Sequence, residues 1–342
     1  MPFALADIAE PHRRRAAALW PWVSLVVGIA SAALMDRRPE RAWMVVAGIV
    51  AGWVAVLVLA SATRAAEAQG QEGLAVRLAR LSSRMAAQAP VQFALFFSIP
   101  FYWQAWAGTV GQAAFIALLA IAAALTLWDP LHQTLTRHPV AGAALHALAA
   151  FAGFDAFLPL LGLSNRSSLA IAAGAASAIV PAMIGWTAPL AARRRLLVRI
   201  APLVVALATT LFIPAVRRLV PAAPMRLVEG SLGTELEEMT LADPATELRG
   251  APAQLVCFTS LWAPRGVRDA LVHVWIKDGV EVDRIPLEIR GGRASGFRTW
   301  SVKQNLGARP LGTWTCSVET ASGQYLGERS VLLSPALPES PD

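Results

Sequence analysis

The chain has 342 residues, of which 56% are hydrophobic and 15% charged, and a formal net charge of +7. That length points to about two domains, and a mean hydropathy of +0.50 argues against both a disordered chain and an ordinary soluble globule. Residues 1–220 hold 18 Arg and 8 acidic residues, net +10, whereas 221–342 hold 12 basic and 15 acidic residues, net −3. The Arg residues lie between apolar runs and form no compact positive face, which argues against nucleic acid as a partner.

A bilayer core requires about 20 apolar residues per helix. Arg15 to Asp36 encloses 20 uncharged residues, Arg41 to Arg64 encloses 22, and Arg84 to Asp129 encloses 44, enough for two spans with a hairpin near Gly108–Gly111. Seven transmembrane helices are therefore expected, near 16–35, 42–62, 91–107, 111–128, 140–163, 167–190 and 197–216, with Arg199 snorkelling at the end of the last. The first span has a rival reading as a cleavable signal peptide, since Arg13–Arg15 precede an apolar stretch and Ala30-Ser31-Ala32.

Short cytoplasmic loops carry the excess of positive charge. With the N terminus inside, eleven Arg are cytoplasmic: Arg13 to Arg15, Arg64, Arg77, Arg80, Arg84, Arg137 and Arg193 to Arg195. The outer loops then hold Arg37, Arg38, Arg41 and Arg166, and seven spans leave the C-terminal part outside the cytoplasm. Between the second and third spans, Leu74, Leu78, Leu81 and Met85 form one stripe flanked by Arg77, Arg80 and Arg84. Residues 74–86 read as an interfacial helix on anionic lipid, or as a docking helix for a regulatory partner. Gly48 with Gly52, and Ala170 with Gly174 and Ala178, are small-residue patterns expected at helix contacts.

Residues 219–250 are rich in Pro, Gly and acidic side chains and read as a linker with at most one short strand. Beyond them, β-rich runs at 254–262, 270–277, 281–289, 297–303, 313–318 and 324–333 alternate with turn signals such as Asp278-Gly279 and Ser322-Gly323. They predict an immunoglobulin-like β-sandwich over 251–334, followed by a tail at 335–342. The fold class is thus a membrane all-α bundle of about seven helices plus a C-terminal all-β sandwich.

Both cysteines, Cys257 and Cys316, fall on predicted strands of this domain, with Trp275 between them in the order of an immunoglobulin-type inter-sheet bridge. A Cys257–Cys316 disulfide and a pair of buried free thiols are both open readings. No His or carboxylate accompanies either cysteine at ligand spacing, so no metal and no cofactor are expected.

The run Trp262-Ala263-Pro264-Arg265-Gly266, then His273-Val274-Trp275, then Asp283 through Arg293 resembles the bacterial family Domain of Unknown Function 2914. The likeness continues through Phe297-Arg298-Thr299-Trp300-Ser301, Lys303-Gln304-Asn305, Gly312-Thr313-Trp314 and Gly323-Gln324-Tyr325-Leu326-Gly327, covering roughly 250–333. Around Trp128-Asp129-Pro130-Leu131 the N-terminal half resembles the multi-span region, also of unknown function, that precedes this domain in Gram-negative envelope proteins. The resemblance implies an inner-membrane protein with a periplasmic β domain and brings no activity with it.

Polar side chains inside a bilayer are costly unless paired or wetted, which singles out Gln104, Gln112, His146 and Asp155. Asp155 stands out because Pro159, four residues on, frees its backbone carbonyl and allows a local break; the alternative is that the span ends early and Asp155 sits near the outer interface. His146 and Asp155 are nine residues apart and face opposite ways on one helix. His132 and His138 form at most a weak two-ligand site. In the β domain, His273, Trp275, Arg290, Arg293, Arg298, Trp300, Ser301 and Lys303 are concentrated enough to form a surface for a sugar, an anionic polymer or a protein, the alternative being that the Trp residues are core. No nucleophile triad, paired-acid motif or phosphate loop is present, which leans against an enzyme. The leading expectation is an inner-membrane protein whose periplasmic sandwich binds an envelope protein or glycan. The alternative is a transporter or membrane-embedded enzyme using Asp155 and His146.

Overall fold

The computed structural model describes residues 22, 26, 42–70, 74–127, 129–187, 194–198, 201, 205, 213–265, 267–292 and 295–336. Helices occupy the first part of the chain: α1 (Ala42–Ala68), α2 (Leu74–Gln104), α3 (Val110–Leu127), α4 (Asp129–Arg137), α5 (Pro139–Phe157), α6 (Asn165–Thr187) and the short α7 (Pro214–Arg217). Strands β1 to β10 follow, in one continuous β-rich region. By contacts the chain divides into two units, one of Met1–Pro100, Ala117–Phe154 and Ile171–Ala208, the other of Phe101–Ile116, Asp155–Ala170 and Thr209–Asp342.

Among the described residues three helices are long and apolar enough to cross a membrane, Val110–Leu127, Pro139–Leu161 and Asn165–Met183, against the seven expected. The expected first and last spans, and with them the signal-peptide alternative, lie largely outside the described residues. The second lies within α1. The third is not a separate element: residues 74–86 and 91–107 belong mostly to one 31-residue helix that runs through Pro90 and Pro100. A proline removes a single N–H from the ladder, and the Ala/Leu/Arg text before it offers no other break.

In the first unit the close approaches are made by glycine. A Cβ on Gly52 would meet Pro90 Cβ at 2.9 Å, and one on Gly153 would meet Ile49 Cδ1 and Ala94 Cβ at 3.1 and 3.2 Å, so the missing side chains let α1, α2 and α5 approach closely there. The Ala170, Gly174, Ala178 stripe does not make such a contact. All three are exposed, and the buried face of α6 is Leu169, Ala172, Ala173, Ala176 and Val180. Alanine surrounds this helix, so a small-residue spacing alone could not say which side faces inward. Two glutamines of α2 supply the polar glue, the Nε2 atoms of Gln88 and Gln92 each donating to the Thr126 carbonyl at 2.7 Å.

In the second unit, β1 (Arg226–Gly233), β5 (Leu255–Trp262) and β8 (Phe297–Lys303) form a three-stranded sheet in the order β1-β5-β8. The five-stranded sheet has the order β4-β10-β9-β6-β7, from β4 (Glu247–Arg249), β10 (Tyr325–Ser334), β9 (Gly312–Thr320), β6 (Arg268–Lys277) and β7 (Val280–Arg290). A small hairpin joins β2 (Leu236–Glu237) to β3 (Thr240–Leu241). Residues 219–250, expected as a linker, thus carry an edge strand, a hairpin and a short parallel strand. Their Pro/Gly content marks turns, while the alternating Arg226–Leu232 run pairs with β5 over its whole length.

The two sheets enclose a core of Leu232, Leu255, Trp275, Leu306, Trp314, Val331 and Leu333 around Cys257 and Cys316, which are disulfide-bonded. A second core cluster, including Leu261, Val267, Leu271, Ile289 and Val318, fills the other end. Trp275 and Trp314 meet edge to face at 6.5 Å. The family-like text explains itself here. Gly291 and Gly292 donate to Val267 and Ala263 carbonyls at 2.8 and 3.0 Å, and a Cβ on Gly291 would overlap the Pro264 carbonyl oxygen. Gly291→Ala should therefore destabilise the β domain by about 1–3 kcal/mol, read as a lower urea midpoint of the detergent-solubilised chain, whereas Ala at open Gly307 lacks this overlap and costs only what its positive φ demands.

Candidate functional site

The residues expected to form one surface separate onto different layers. His273 and Trp275 are fully buried, Arg290 and Arg298 are exposed, Trp300 and Lys303 are half-buried, and Arg293 lies outside the described residues. For Trp275 the core alternative holds: β6 lies between β7 and β9, and its His273, Trp275 row looks onto the opposite sheet.

A histidine is tolerated there because the facing strands bring hydroxyls. Thr259 Oγ1 lies 3.0 Å from His273 Nε2, Ser301 Oγ lies 2.9 Å from Nδ1, and Thr259 also meets Thr299 at 2.8 Å. The Trp275 indole N–H donates to Ser301 Oγ at 3.1 Å. Thr299 and Ser301 alternate with Arg298, Trp300 and Val302, a signal in the sequence that one stripe of β8 is small and hydroxylic. Burial pushes the His273 imidazole down to about 4 from its usual value near 6.5. Lys303 turns to Asp283 at 2.8 Å and holds that carboxylate below the ordinary range.

The outer members gather elsewhere. A cleft of ≈ 560 Å³ is lined by Met239, Leu287, Glu288, Ser295, Gly296, Phe297, Arg298, Thr299 and Trp300. It runs along β8, which among the described residues has a strand partner only on its β5 side, and faces β7, the edge of the other sheet. Met239 stands at the tip of the β2–β3 hairpin, 60% exposed, and both Glu238 and Met239 have positive φ, at 44° and 62°. Such a backbone is costly for side chains of this size. Neither Met239 nor Leu287 was singled out in the sequence, since nothing local tells that the segment 236–241 folds beside β8.

The intramembrane candidates also disperse. His146 Nδ1 is 2.8 Å from the carbonyl of Gly142 on its own helix. Asp155 lies in the last turn of α5, just before a 3₁₀ turn at Leu158–Leu161, and its Oδ2 accepts from Tyr102 Oη at 2.9 Å. Both residues are fully buried, and Tyr102 packs edge-on against Phe115 at 5.1 Å. Tyr102 was missed because the partner lies 53 residues away. His132 is buried and His138 exposed, so they do not converge. Gln112 is occupied at a junction: its Oε1 accepts from Ala107 N–H and its Nε2 donates to the Tyr325 carbonyl, both at 2.8 Å.

That junction is extensive within the second unit. Asn165 N–H donates to Asp269 at 2.9 Å, Ser322 Oγ donates to Asn165 Oδ1 at 2.7 Å, and Arg217 donates to the Ser322 carbonyl at 2.7 Å. Buried Glu319 receives both Arg218 and Arg284. Gln324 Nε2 reaches the Val220 and Pro221 carbonyls. Burial raises Asp269 above the ordinary carboxylate range, with the Asn165 and Ala270 N–H groups opposing it.

A family model described as a family of unknown function (DUF5924) matches residues 4–257. The chain belongs to this family. A second model, protein of unknown function (DUF2914), matches residues 268–331, in agreement with the resemblance of the C-terminal text. The DUF5924 match ends inside β5, so the family boundary falls within the three-stranded sheet rather than at a linker. No curated protein matches the chain.

Two outcomes follow. Between pH 6.5 and 4 the unfolded chain binds a proton at position 273 that the folded chain refuses, so stability falls with pH through that window. It levels off about 3 kcal/mol lower below pH 4, and a smaller acid-induced drop in urea midpoint is expected for His273→Gln. Separately, Tyr102→Phe should cost about 1–3 kcal/mol by removing the donor to a buried carboxyl, measured as lowered thermal unfolding in detergent, with Phe115→Leu affecting packing alone.

Proposed function

We propose that this DUF5924 protein is an inner-membrane protein that holds its β domain on the periplasmic side and uses the cleft along β8 to bind an extended segment of an envelope protein. Three apolar helices and an Arg excess in the expected inner loops support the membrane placement. Exposed Trp103 and Trp106, in a tilted ring contact at 5.4 Å beside exposed Val110, suit the bilayer interface.

The outer edge of β8 at Arg298–Lys303, where no described strand pairs, carries the binding reading. Its main-chain N–H and C=O groups can extend a ladder onto an incoming strand, as in β-strand addition. Side chains alternate across that edge: Phe297 leans to the core side with Leu287, while Arg298 and Trp300 share the outer side with Met239. Such a slot reads successive side chains of a peptide in turn. To a glycan the lining offers the polar side chains of Ser295, Glu288, Arg298 and Trp300, Thr299 being already bonded to Thr259. The neighbouring edge β7 is poorly suited to the same role, because Pro286 lacks an N–H and charges recur along it.

A photo-crosslinking side chain placed at Met239 in living cells should give a discrete protein adduct that the same group at exposed Val282 does not. The adduct should drop at least about tenfold with Trp300→Ala, the loss of one buried aromatic anchor at a binding hot spot. Equal labelling at the two positions, or an adduct that digests as polysaccharide, would overturn the reading. The alternative of a transporter using Asp155 and His146 finds one supporting feature, the buried Tyr102–Asp155 pair; unchanged function in Asp155→Asn would remove it.

A further inference from the structure

Around the disulfide the fold assembles a donor set that neither the sequence spacing nor the cleft uses. Ligand atoms of Cys257, His273 and Cys316 all lie within 4.8 Å of one another, and all three residues are fully buried. Cys257 comes from β5, and His273 and Cys316 from neighbouring strands β6 and β9, where Trp275 pairs with Cys316 and His273 with Val318. We infer that in the dithiol form, the state in which the chain is synthesised, Cys257, Cys316 and His273 bind one Zn²⁺.

The chemistry of the donors selects the ion. Two thiolates and a neutral imidazole are the common ligands of tetrahedral Zn²⁺. Two thiolates also cancel its charge, which matters in a core with no other ionised group among Leu232, Leu255, Trp275, Trp314 and Val331. A monovalent soft ion would leave a net negative charge buried. Whichever ring nitrogen turns to the metal, the other keeps a hydroxyl partner, Thr259 on Nε2 or Ser301 on Nδ1. A second partner of this kind orients a ligating histidine.

Binding replaces two S–H protons by the metal. The disulfide and the metal are alternatives: an external disulfide takes two electrons from the thiolates and becomes a dithiol by gaining two protons. The Cys257–Cys316 bond then closes and Zn²⁺ leaves. This inference does not depend on the cleft or on the side of the membrane.

The test uses the full chain in detergent, treated with a phosphine that reduces the disulfide with water as the oxygen source, then titrated with Co²⁺ as a coloured substitute. One Co²⁺ per chain should bind with thiolate charge-transfer and tetrahedral bands that Zn²⁺ bleaches; the unreduced protein and Cys316→Ser should show none. Of Ser301→Ala and Thr259→Ala, the one that removes the partner of the non-ligating nitrogen should weaken binding roughly tenfold, and His273→Gln should weaken it more. Folded, reduced protein that binds no Co²⁺, or binds it equally in His273→Gln, would overturn the inference. If reduction unfolds the domain, Zn²⁺ should restore its near-ultraviolet Trp signal in the wild type and not in His273→Gln; no restoration is equally decisive against it.

Discussion

The β domain depends on a single closure, the meeting of β5 and β9 at Cys257 and Cys316 in the middle of two facing sheets. That point fixes which face of every neighbouring strand is inside. Once Cys316 looks inward, its pair partner Trp275 does too, and His273 two residues away must follow. Burying an imidazole without partners would be costly, so the facing strands answer with Thr259, Thr299 and Ser301. Uninterrupted aliphatics at those positions would leave both ring nitrogens unsatisfied.

The same closure decides what is left open. Sheets tied at their centres remain separate at the β7 and β8 edges, and there Phe297 and Leu287 are only partly covered by the core cluster. The cleft is that gap, roofed by the β2–β3 hairpin and its strained Glu238-Met239 turn. Within its unit the domain is held by Gln112, Asn165, Arg217 and Gln324, each reaching backbone or side-chain atoms far away in sequence.

Much of the fold was legible. Long uncharged runs separated by Arg, and β-rich runs separated by Asp-Gly and Ser-Gly turns, divide the chain into a helical and a β-rich part. The family-like motifs were legible as text, and the structure supplies reasons for some: Gly291 and Gly292 lie against the backbone of Ala263, Pro264 and Val267, and Gln324 and Tyr325 make the junction. The linker reading of 219–250 failed because Pro and Gly mark turns between short strands as well as flexible segments. Around His273 both a surface and a core stayed open in the sequence, because period two says that residues share a face and not which face is buried; the structure makes it core.

What the sequence alone determined is therefore the local and the one-dimensional: apolar length, charge asymmetry, strand periodicity and the positions of turns. These follow from each residue's own hydration and backbone preferences. Only the tertiary structure decided the partners: Tyr102 with Asp155, His273 with two cysteines and two hydroxyls, Met239 with Trp300 across a cleft. Such pairs join residues tens of positions apart through strand order and helix packing, and no spacing along the chain encodes them.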